Sequence, residues 1–228
     1  GVTGKITSKP AKHLASLCNQ MVNFLGIMQN EWAGAQAFSS FDTYLAPFVK
    51  ADSIPYDAVK KCIESFIYGV NTPSRWGTQA PFSNITLDWT VPADLAEQYA
   101  IVGGEEMPFK YKDCKKEMDM VNKAFIETMI EGDANGRGFQ YPIPTYSITK
   151  DFDWSPTENN RLLFEMTAKY GTPYFSNYIN SDMEPSDVRS MCCRLRLDLR
   201  ELRKKSGGFF GGSLEVIQLV VIHLLIVA

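Results

Sequence analysis

The sequence has little of the chemistry on which most hydrolases and metalloenzymes depend. It contains two histidines in 228 residues, and it has no His-Glu-x-x-His helix, phosphate-binding glycine loop or Ser-His-Asp order. None of its five cysteines forms a Cys-x-x-Cys pair, so the sequence does not indicate a zinc site. His13 lies inside the first predicted helix, where a solvated or capping role is favoured over catalysis.

An excess of positive charge is missing as well. The net charge is -3, so no basic field would attract nucleic acid. The odd number of cysteines argues against a full disulfide set, and free thiols indicate a reducing, cytoplasmic compartment. The long apolar run at residues 216–228 would cover about 20 Å as a helix, less than the ~30 Å hydrocarbon core of a membrane. We expect a buried strand there and no membrane span.

Apolar residues recur at helical spacing in four segments. The first stripe follows Pro10, includes Cys18 as an inert buried thiol, and predicts a helix of roughly 25 residues that ends near Ser39. The other helices are predicted after Pro55, from an N-cap at Asp113 to Gly132, and from Ser155-Pro156-Thr157 to Gly171.

Shorter segments have the alternation or the composition of strands. Residues 83–89 alternate as a half-buried strand, and residues 174–179 form another. Pro142 and Pro144 interrupt a third, at residues 139–148, which is typical of an edge strand or of a functional irregularity. Long helices that alternate with short strands predict an α/β architecture with much parallel pairing.

The adjacent thiols Cys192 and Cys193 are the residues whose type suggests special chemistry. A disulfide between neighbours would close a strained ring. Two interpretations stay open from the residues alone. The pair could be two small buried hydrophobic side chains, which composition favours, or a reactive thiol beside Arg194 and Arg196, whose charges favour thiolate. Spacing does not decide between them.

Seven runs of residues resemble the anaerobic, class III ribonucleotide reductases. They are residues 8–13, 38–44, 71–77, 79–84, 122–125, 164–171 and Met191-Cys192-Cys193-Arg194-Leu195. The resemblance covers residues 1–211, which would form a central segment of the reductase barrel. It implies part of the ten-stranded α/β barrel of glycyl-radical enzymes, with long helices packed outside.

The resemblance also implies a radical site. In that family a loop cysteine becomes a thiyl radical and abstracts the ribose 3'-hydrogen, after which the 2'-hydroxyl leaves as water. Relatives with a single cysteine in this loop place it directly before the arginine, which implies Cys193, with Cys192 as the alternative. Arg194 would face the substrate phosphate. The matching runs imply three further residues that face the substrate cleft: Ser40, Ser83 and Asn84.

The partners implied by the resemblance are a ribonucleoside triphosphate substrate, nucleotide effectors such as ATP, and a formate or thiol reductant. The full-length protein would be a homodimer and would need an S-adenosylmethionine iron–sulfur activase to make its glycyl radical. The radical glycine, a structural zinc site and a second cysteine of the family are not found in this sequence, so this segment would bind no metal or cofactor. We therefore expect the isolated chain to be inactive.

Residues 212–228 depart from the family pattern, and we expect that a frameshift or intron read-through produced this apolar tail. Two other functions stay open. The chain could be a non-catalytic, reductase-derived interaction protein, or a glycyl-radical enzyme of the formate-lyase type. The runs at residues 71–77 and 164–171 argue against the second.

Overall fold

A computed structural model describes residues 8–31, 35–72, 80–182, 188–190 and 196–198, the last two ranges by their backbone only. The predictions for Cys192, Cys193, Arg194 and the tail at residues 212–228 lie outside these ranges. The helices are α1 (Leu14–Glu31), α2 (Phe41–Asp52), α3 (Tyr56–Asn71), α4 (Ala93–Ala96), α5 (Lys115–Glu131) and α6 (Glu158–Tyr170). The strands are β1 (Gln36–Phe38), β2 (Ser83–Leu87), β3 (Tyr99–Val102), β4 (Glu105–Lys110), β5 (Ile143–Ile148), β6 (Tyr174–Asn177), β7 (Val188–Ser190) and β8 (Arg196–Asp198).

Four of these strands form a parallel sheet in the order β1-β2-β5-β6. Parallel neighbours need long crossover connections, and the helices α2, α3, α5 and α6 lie within those connections. Two antiparallel pairs, β3 with β4 and β7 with β8, lie outside this sheet. The predicted α/β architecture with parallel pairing is confirmed, and no described helix is long and apolar enough to cross a membrane.

One face of the sheet is covered by helices. The ring of Phe38 in β1 lies 6.4 Å from the ring of Phe24 in α1 and 6.4 Å from that of Phe66 in α3. Strand register places Ile85 and Tyr146 on the same face as Phe38, and all three are fully buried. Burying each large apolar side chain contributes roughly 1.5–3 kcal/mol, so this side supplies much of the folding energy.

Three of the four predicted helices form where they were expected. The predicted face of α3 is fully buried, and it comprises Val59, Ile63, Phe66 and Val70. Thr157 caps α6, because its side chain accepts a hydrogen bond from the backbone N–H of Asn160, and Gly171 ends that helix in the left-handed conformation. The N-cap prediction for Asp113 is wrong. Asp113 lies in a 3-10 turn before Lys115, with its Oδ2 accepting from the N–H of Lys110.

The first predicted helix is too long. Helix α1 ends at Glu31, and the strand β1 and the helix α2 follow it. Periodicity does not indicate α2, because residues 41–49 are all buried and a helix that is buried on every side has no apolar stripe. Pro47 lies inside α2 and adds a second misleading signal.

Two details of the strand predictions are also wrong. Strand β2 is not half-buried, since both Asn84 and Ile85 are buried although they point to opposite faces. Strand β5 is not an edge strand, since it pairs with β2 on one side and β6 on the other. Pro144 is tolerated there because the pairing with β6 begins only at Thr145.

Candidate functional site

The face of the sheet opposite the helices carries small polar side chains. Alternation along β2, β5 and β6 places five of them there, and we call this set the polar sheet face: Asn84, Thr86, Thr145, Ser147 and Ser176. Strand register places Thr86 beside Thr145, and Ser147 beside Ser176. The set contains hydroxyl and carboxamide groups and no charge, so it can exchange hydrogen bonds with a neutral ligand.

At least one of these polar atoms has no partner among the described residues. Asn84 is 2% exposed, and its Oδ1 accepts no hydrogen bond from the described part of the chain. Thr145, Ser147 and Ser176 are buried as well. A buried polar group without a partner costs about 1–3 kcal/mol. An acceptor such as Oδ1 of Asn84 is therefore expected where a ligand completes its hydrogen bond.

Ser40 borders this face at the carboxyl end of β2. Its backbone N–H donates to Oγ1 of Thr86 at 2.9 Å. Ser40 has a φ of 53°, in the left-handed region that is unfavourable for a residue with a side chain. Such strain persists only where the surrounding structure enforces it, and it is common at ligand sites.

The predicted substrate-facing residues do not all lie together. Ser40 and Asn84 lie with the polar sheet face, whereas strand alternation turns Ser83 to the opposite, helix-covered face. Ser83 is fully buried there, beside Ile85 and Leu87 along the strand, and its hydroxyl has no partner among the described groups. Arg194 lies outside the described residues.

A buried carboxylate that sequence reasoning did not single out ties α2 to the end of β2. Oδ1 of Asp42 accepts from the backbone N–H of Thr43 at 3.0 Å and of Asp88 at 2.8 Å. Oδ2 of Asp42 accepts from the N–H of Trp89 and from Nδ2 of Asn122, both at 2.9 Å. Burial raises the pKa of Asp42, and these four donors oppose that rise. The one sequence signal is the position of Asp42 in the run at residues 38–44.

Strain is concentrated around this carboxylate. Among the described residues other than glycine, three have a positive φ: Ser40, Ser53 and Trp89. Ser40 lies two residues before Asp42, and the backbone N–H of Trp89 donates to the Asp42 carboxylate. The hydroxyl of Thr43 also donates to Oδ2 of Asp88 at 2.6 Å. These contacts thus fix the backbone at the carboxyl ends of β1 and β2. In open parallel sheets, ligands bind at the carboxyl ends of the strands.

The thiols and histidine of the described part do not suggest chemistry of their own. Burial raises the pKa of Cys18 and of Cys62, and it raises the pKa of Cys114 to about 12, so all three are neutral thiols. The prediction that Cys18 is buried is confirmed. His13 is exposed, with Nδ1 2.8 Å from Oδ2 of Asp52, in agreement with the predicted solvated role. Within the described ranges, no three His, Cys, Asp or Glu side chains form a metal-binding group.

A cleft of about 490 Å³ lies between α5 and the segment that leads into α6. Its lining carries lysines and carboxylates in similar number, and two of the lysines pair with two of the carboxylates. Nζ of Lys123 is 2.7 Å from Oε1 of Glu158, and Lys115 pairs with Asp119. Because these four charges neutralise one another, they indicate no ligand class as clearly as the polar sheet face does.

The chain matches the family model of the anaerobic ribonucleoside-triphosphate reductases over residues 1–225. No curated protein matches the chain. Solved structures of an anaerobic ribonucleotide reductase from Thermotoga maritima are similar to it. The structure with citrate in the active site has a TM-score of 0.57 at 25% identity and covers 78% of this chain. The structure in complex with dATP and CTP has a TM-score of 0.54 at 23% identity and covers 79%.

The chain spans about a third of those solved proteins, 32% and 31% of their length. The likeness shows that the sheet and helices described above are part of the same α/β fold. Within the described residues the parallel sheet has four strands.

Proposed function

This chain belongs to the anaerobic ribonucleoside-triphosphate reductase family, and we propose that it supplies the substrate-binding face and the radical cysteine of such a reductase. The complete protein would convert ribonucleoside triphosphates to 2'-deoxyribonucleotides. The observation that carries the proposal is the polar sheet face, a row of uncharged and mostly buried side chains in which Oδ1 of Asn84 has no partner among the described residues. A ribose ring is a neutral ligand rich in hydroxyls, and it would complete that hydrogen bond.

Cys193 is the proposed radical residue, with Cys192 as the alternative. Both lie outside the described residues, in the part of the sequence between β7 and β8. A thiyl radical at Cys193 would take the 3'-hydrogen of the ribose, forming an S–H bond and leaving the unpaired electron on C3'. The 2'-hydroxyl would then leave with a proton as water. A formate or thiol reductant would supply two electrons and the proton that C2' gains in place of the hydroxyl, and the thiol of Cys193 would return its hydrogen atom to C3'.

Several requirements of this chemistry fall to other parts of the complete protein. A glycyl radical, made by an S-adenosylmethionine iron–sulfur activase, would supply the oxidising equivalent for Cys193. We propose that Arg194 faces the substrate phosphate, which leaves the neutral S–H of Cys193 undisturbed. We expect the 228-residue chain alone to form no deoxynucleotide with activase under anaerobic conditions.

Nucleotide binding is supported by the solved relatives. One Thermotoga maritima structure is a complex with dATP and CTP, and another has dATP bound in the specificity site. We propose that the complete protein to which this segment belongs also binds nucleotide substrates and effectors. We further propose that it acts as a homodimer in the cytoplasm, where its buried free thiols would stay reduced.

A chimeric enzyme would test the radical role. Residues 8–211 would replace the matching segment of the Thermotoga maritima reductase, and deoxynucleotide formation would be measured anaerobically with activase. Cys193→Ala should abolish product while leaving the glycyl radical signal in the electron spin resonance spectrum. Cys192→Ala is the matched control and should retain activity. Product formation by the Cys193→Ala chimera, or loss confined to Cys192→Ala, would reject the assignment of Cys193.

One observation favours a second function, binding to a full-length reductase subunit. Strand β6 lies at one edge of the described sheet, and its Tyr174 and Phe175 are 46% and 42% exposed. An exposed apolar edge strand can pair with a strand of another chain. Co-purification of the chain with a full-length reductase, lost on Phe175→Lys, would support this function. The family match argues against the formate-lyase alternative.

A further inference from the structure

The cleft between α5 and the segment that leads into α6 contains a buried acceptor without a partner. Asn160, in the first turn of α6, lines this cleft and is 2% exposed. Its Oδ1 accepts no hydrogen bond from the part of the chain that the structure describes. A buried acceptor of this kind costs about 1–3 kcal/mol, so it favours a ligand that donates to it from the cleft.

The orientation of the Asn160 carboxamide is fixed by its other end. Nδ2 donates to the backbone carbonyls of Asp153 at 2.6 Å and of Ser155 at 2.7 Å. A flipped carboxamide would place Oδ1 against two carbonyl oxygens, which cannot donate, so the two hydrogen bonds assign the two ends. The cleft therefore presents a preorganised acceptor, and its ligand needs an N–H or O–H group.

Contacts between neighbouring elements fix the walls of the cleft. Nδ2 of Asn159 donates to the carbonyl of Asp119 at 2.9 Å, which joins α6 to α5. Trp89 also lines the cleft, and its ring stacks on that of Phe152 with 5.9 Å between the centroids. The volume of about 490 Å³ lies in the usual range of small-molecule sites.

The charges of the lining favour a cation as the donor. Outside the two ion pairs described above, the lining carries the carboxylates of Asp151 and Asp153 and one lysine, Lys116. The backbone N–H of Ser155 donates to Oδ1 of Asp153 at 2.9 Å and lowers the pKa of that carboxyl, so it is ionised at neutral pH. The positive end of the α6 dipole is offset by Glu158 in the first turn. The remaining charge is negative on balance, which disfavours a phosphate or carboxylate ligand.

We propose that this cleft binds a primary alkylammonium group, and that its ligand is a short aliphatic diamine or polyamine. One ammonium has three N–H donors, enough for Oδ1 of Asn160 and for the carboxylate of Asp153. The methylene stem would lie along the apolar part of the lining, which Trp89 and Met120 supply. A second ammonium at the other end of the stem would meet the remaining carboxylate, Asp151. The site uses none of the residues proposed above for substrate binding or radical chemistry.

The test uses the whole 228-residue chain at constant ionic strength, with 1,6-diaminohexane and spermidine as probes. Hexamethonium has the same stem as diaminohexane and two quaternary nitrogens, so it carries the charge without an N–H group. N-acetyl-lysine amide represents a protein side chain as the source of the ammonium, and pyrophosphate is the anionic probe. Binding is followed by NMR titration of the side-chain amide signals of Asn160. The reference signal is the amide of Asn71, which donates to two carbonyls elsewhere in the fold.

Three substitutions at exposed positions measure the contribution of charge. Asp153→Asn removes a negative charge and keeps an acceptor for the N–H of Ser155. Lys116→Gln removes the opposing positive charge. Glu165→Gln, in α6 but outside the cleft, is the matched control. All three leave the hydrogen bonds of Asn160 in place, and urea unfolding would verify that the variants are folded.

We expect diaminohexane to bind about tenfold more tightly than hexamethonium, which corresponds to one hydrogen bond. It should shift the amide signals of Asn160 and leave those of Asn71 unchanged. Asp153→Asn should weaken diaminohexane binding by up to about fivefold, and Lys116→Gln should strengthen it by a similar factor. Glu165→Gln should leave the affinity unchanged.

Four results would contradict the proposal. Equal binding of diaminohexane and hexamethonium would reject Oδ1 of Asn160 as the acceptor. Tighter binding of pyrophosphate than of either amine, with the effects of Asp153→Asn and Lys116→Gln reversed, would make the cleft an anion site. Binding of N-acetyl-lysine amide as tight as that of diaminohexane would reject a free diamine as the ligand. An unshifted Asn160 amide at saturating diaminohexane and spermidine would overturn the site altogether.

Discussion

The carboxylate of Asp42 accepts a hydrogen bond from the backbone N–H of Trp89 at 2.9 Å. This bond crosses from the first turn of α2 to the residues that follow β2, and it holds Trp89 at a φ of 64°. Asp42 is fully buried, as is its donor Asn122. Because Ser40 lies two residues before Asp42, the same contact sets the position of the residue that borders the polar sheet face.

Asp42→Asn should destabilise the protein. The substitution is close in size, but it replaces one acceptor oxygen with an NH₂ group that would face other donors, such as the N–H of Trp89. We expect the free energy of unfolding to fall by about 2–4 kcal/mol in urea titrations. Asp57→Asn, at an exposed site in the first turn of α3, is the control and should change it by less than about 1 kcal/mol. An equal effect of both variants would argue against the network.

Glycine at position 40 should separate strain from function. Ser40 and Ser53 both have positive φ, 53° and 48°, and only Ser40 borders the polar sheet face. Each substitution to glycine should remove side-chain strain and raise the free energy of unfolding by roughly 0.5–1 kcal/mol. Only Ser40→Gly should weaken nucleoside binding in NMR titrations. A loss of binding in Ser53→Gly would show that the effect comes from α2 and not from the site.

The thiol of Cys114 should resist alkylation in the folded protein. Burial raises its pKa to about 12, so at pH 8 its thiolate fraction should be on the order of a thousandfold below that of a cysteine with the ordinary pKa near 8.5. Mass spectrometry after iodoacetamide treatment would measure the rate. The same residue in concentrated urea provides the control, because unfolding restores the ordinary pKa. Equal rates in the two states would contradict the burial of Cys114.

The ion pairs of Glu97 with Lys110 and Lys112 should persist in mild acid and weaken only at very low pH. Hydrogen bonds from Lys110 and Lys112 lower the pKa of Glu97 to about 2, whereas an unfolded glutamate titrates near ~4.3. The stabilisation of the folded state by these ion pairs is thus complete above the pKa of the unfolded glutamate, and it is lost as the pH falls through about 2. Carbon-13 NMR of the Glu97 carboxyl group would give its midpoint. Lys110→Gln with Lys112→Gln should return the midpoint toward ~4.3, and an unchanged midpoint would contradict the ion pairs.

Local patterns predict the elements that have one apolar and one solvated side. Helix α3 shows this, because Val59 and Ile63 repeat at helical spacing against exposed neighbours. Thr157 and Gly171 mark the ends of α6 because capping depends on a few adjacent residues. Local patterns do not predict the helix α2, because the elements that pack around it bury it on all sides and it has no apolar stripe.

The sequence by itself determined the family and the α/β class, because those depend on local runs of residues and on the alternation of helical and strand periods. It also named Asn84 and Ser40, through the runs that resemble the reductases. Only the tertiary structure separated Asn84 from its neighbour Ser83, since which face of a strand meets the helices is decided by sheet register and packing. Only the tertiary structure revealed Asp42, whose donors Asp88, Trp89 and Asn122 lie 46 to 80 residues away along the chain.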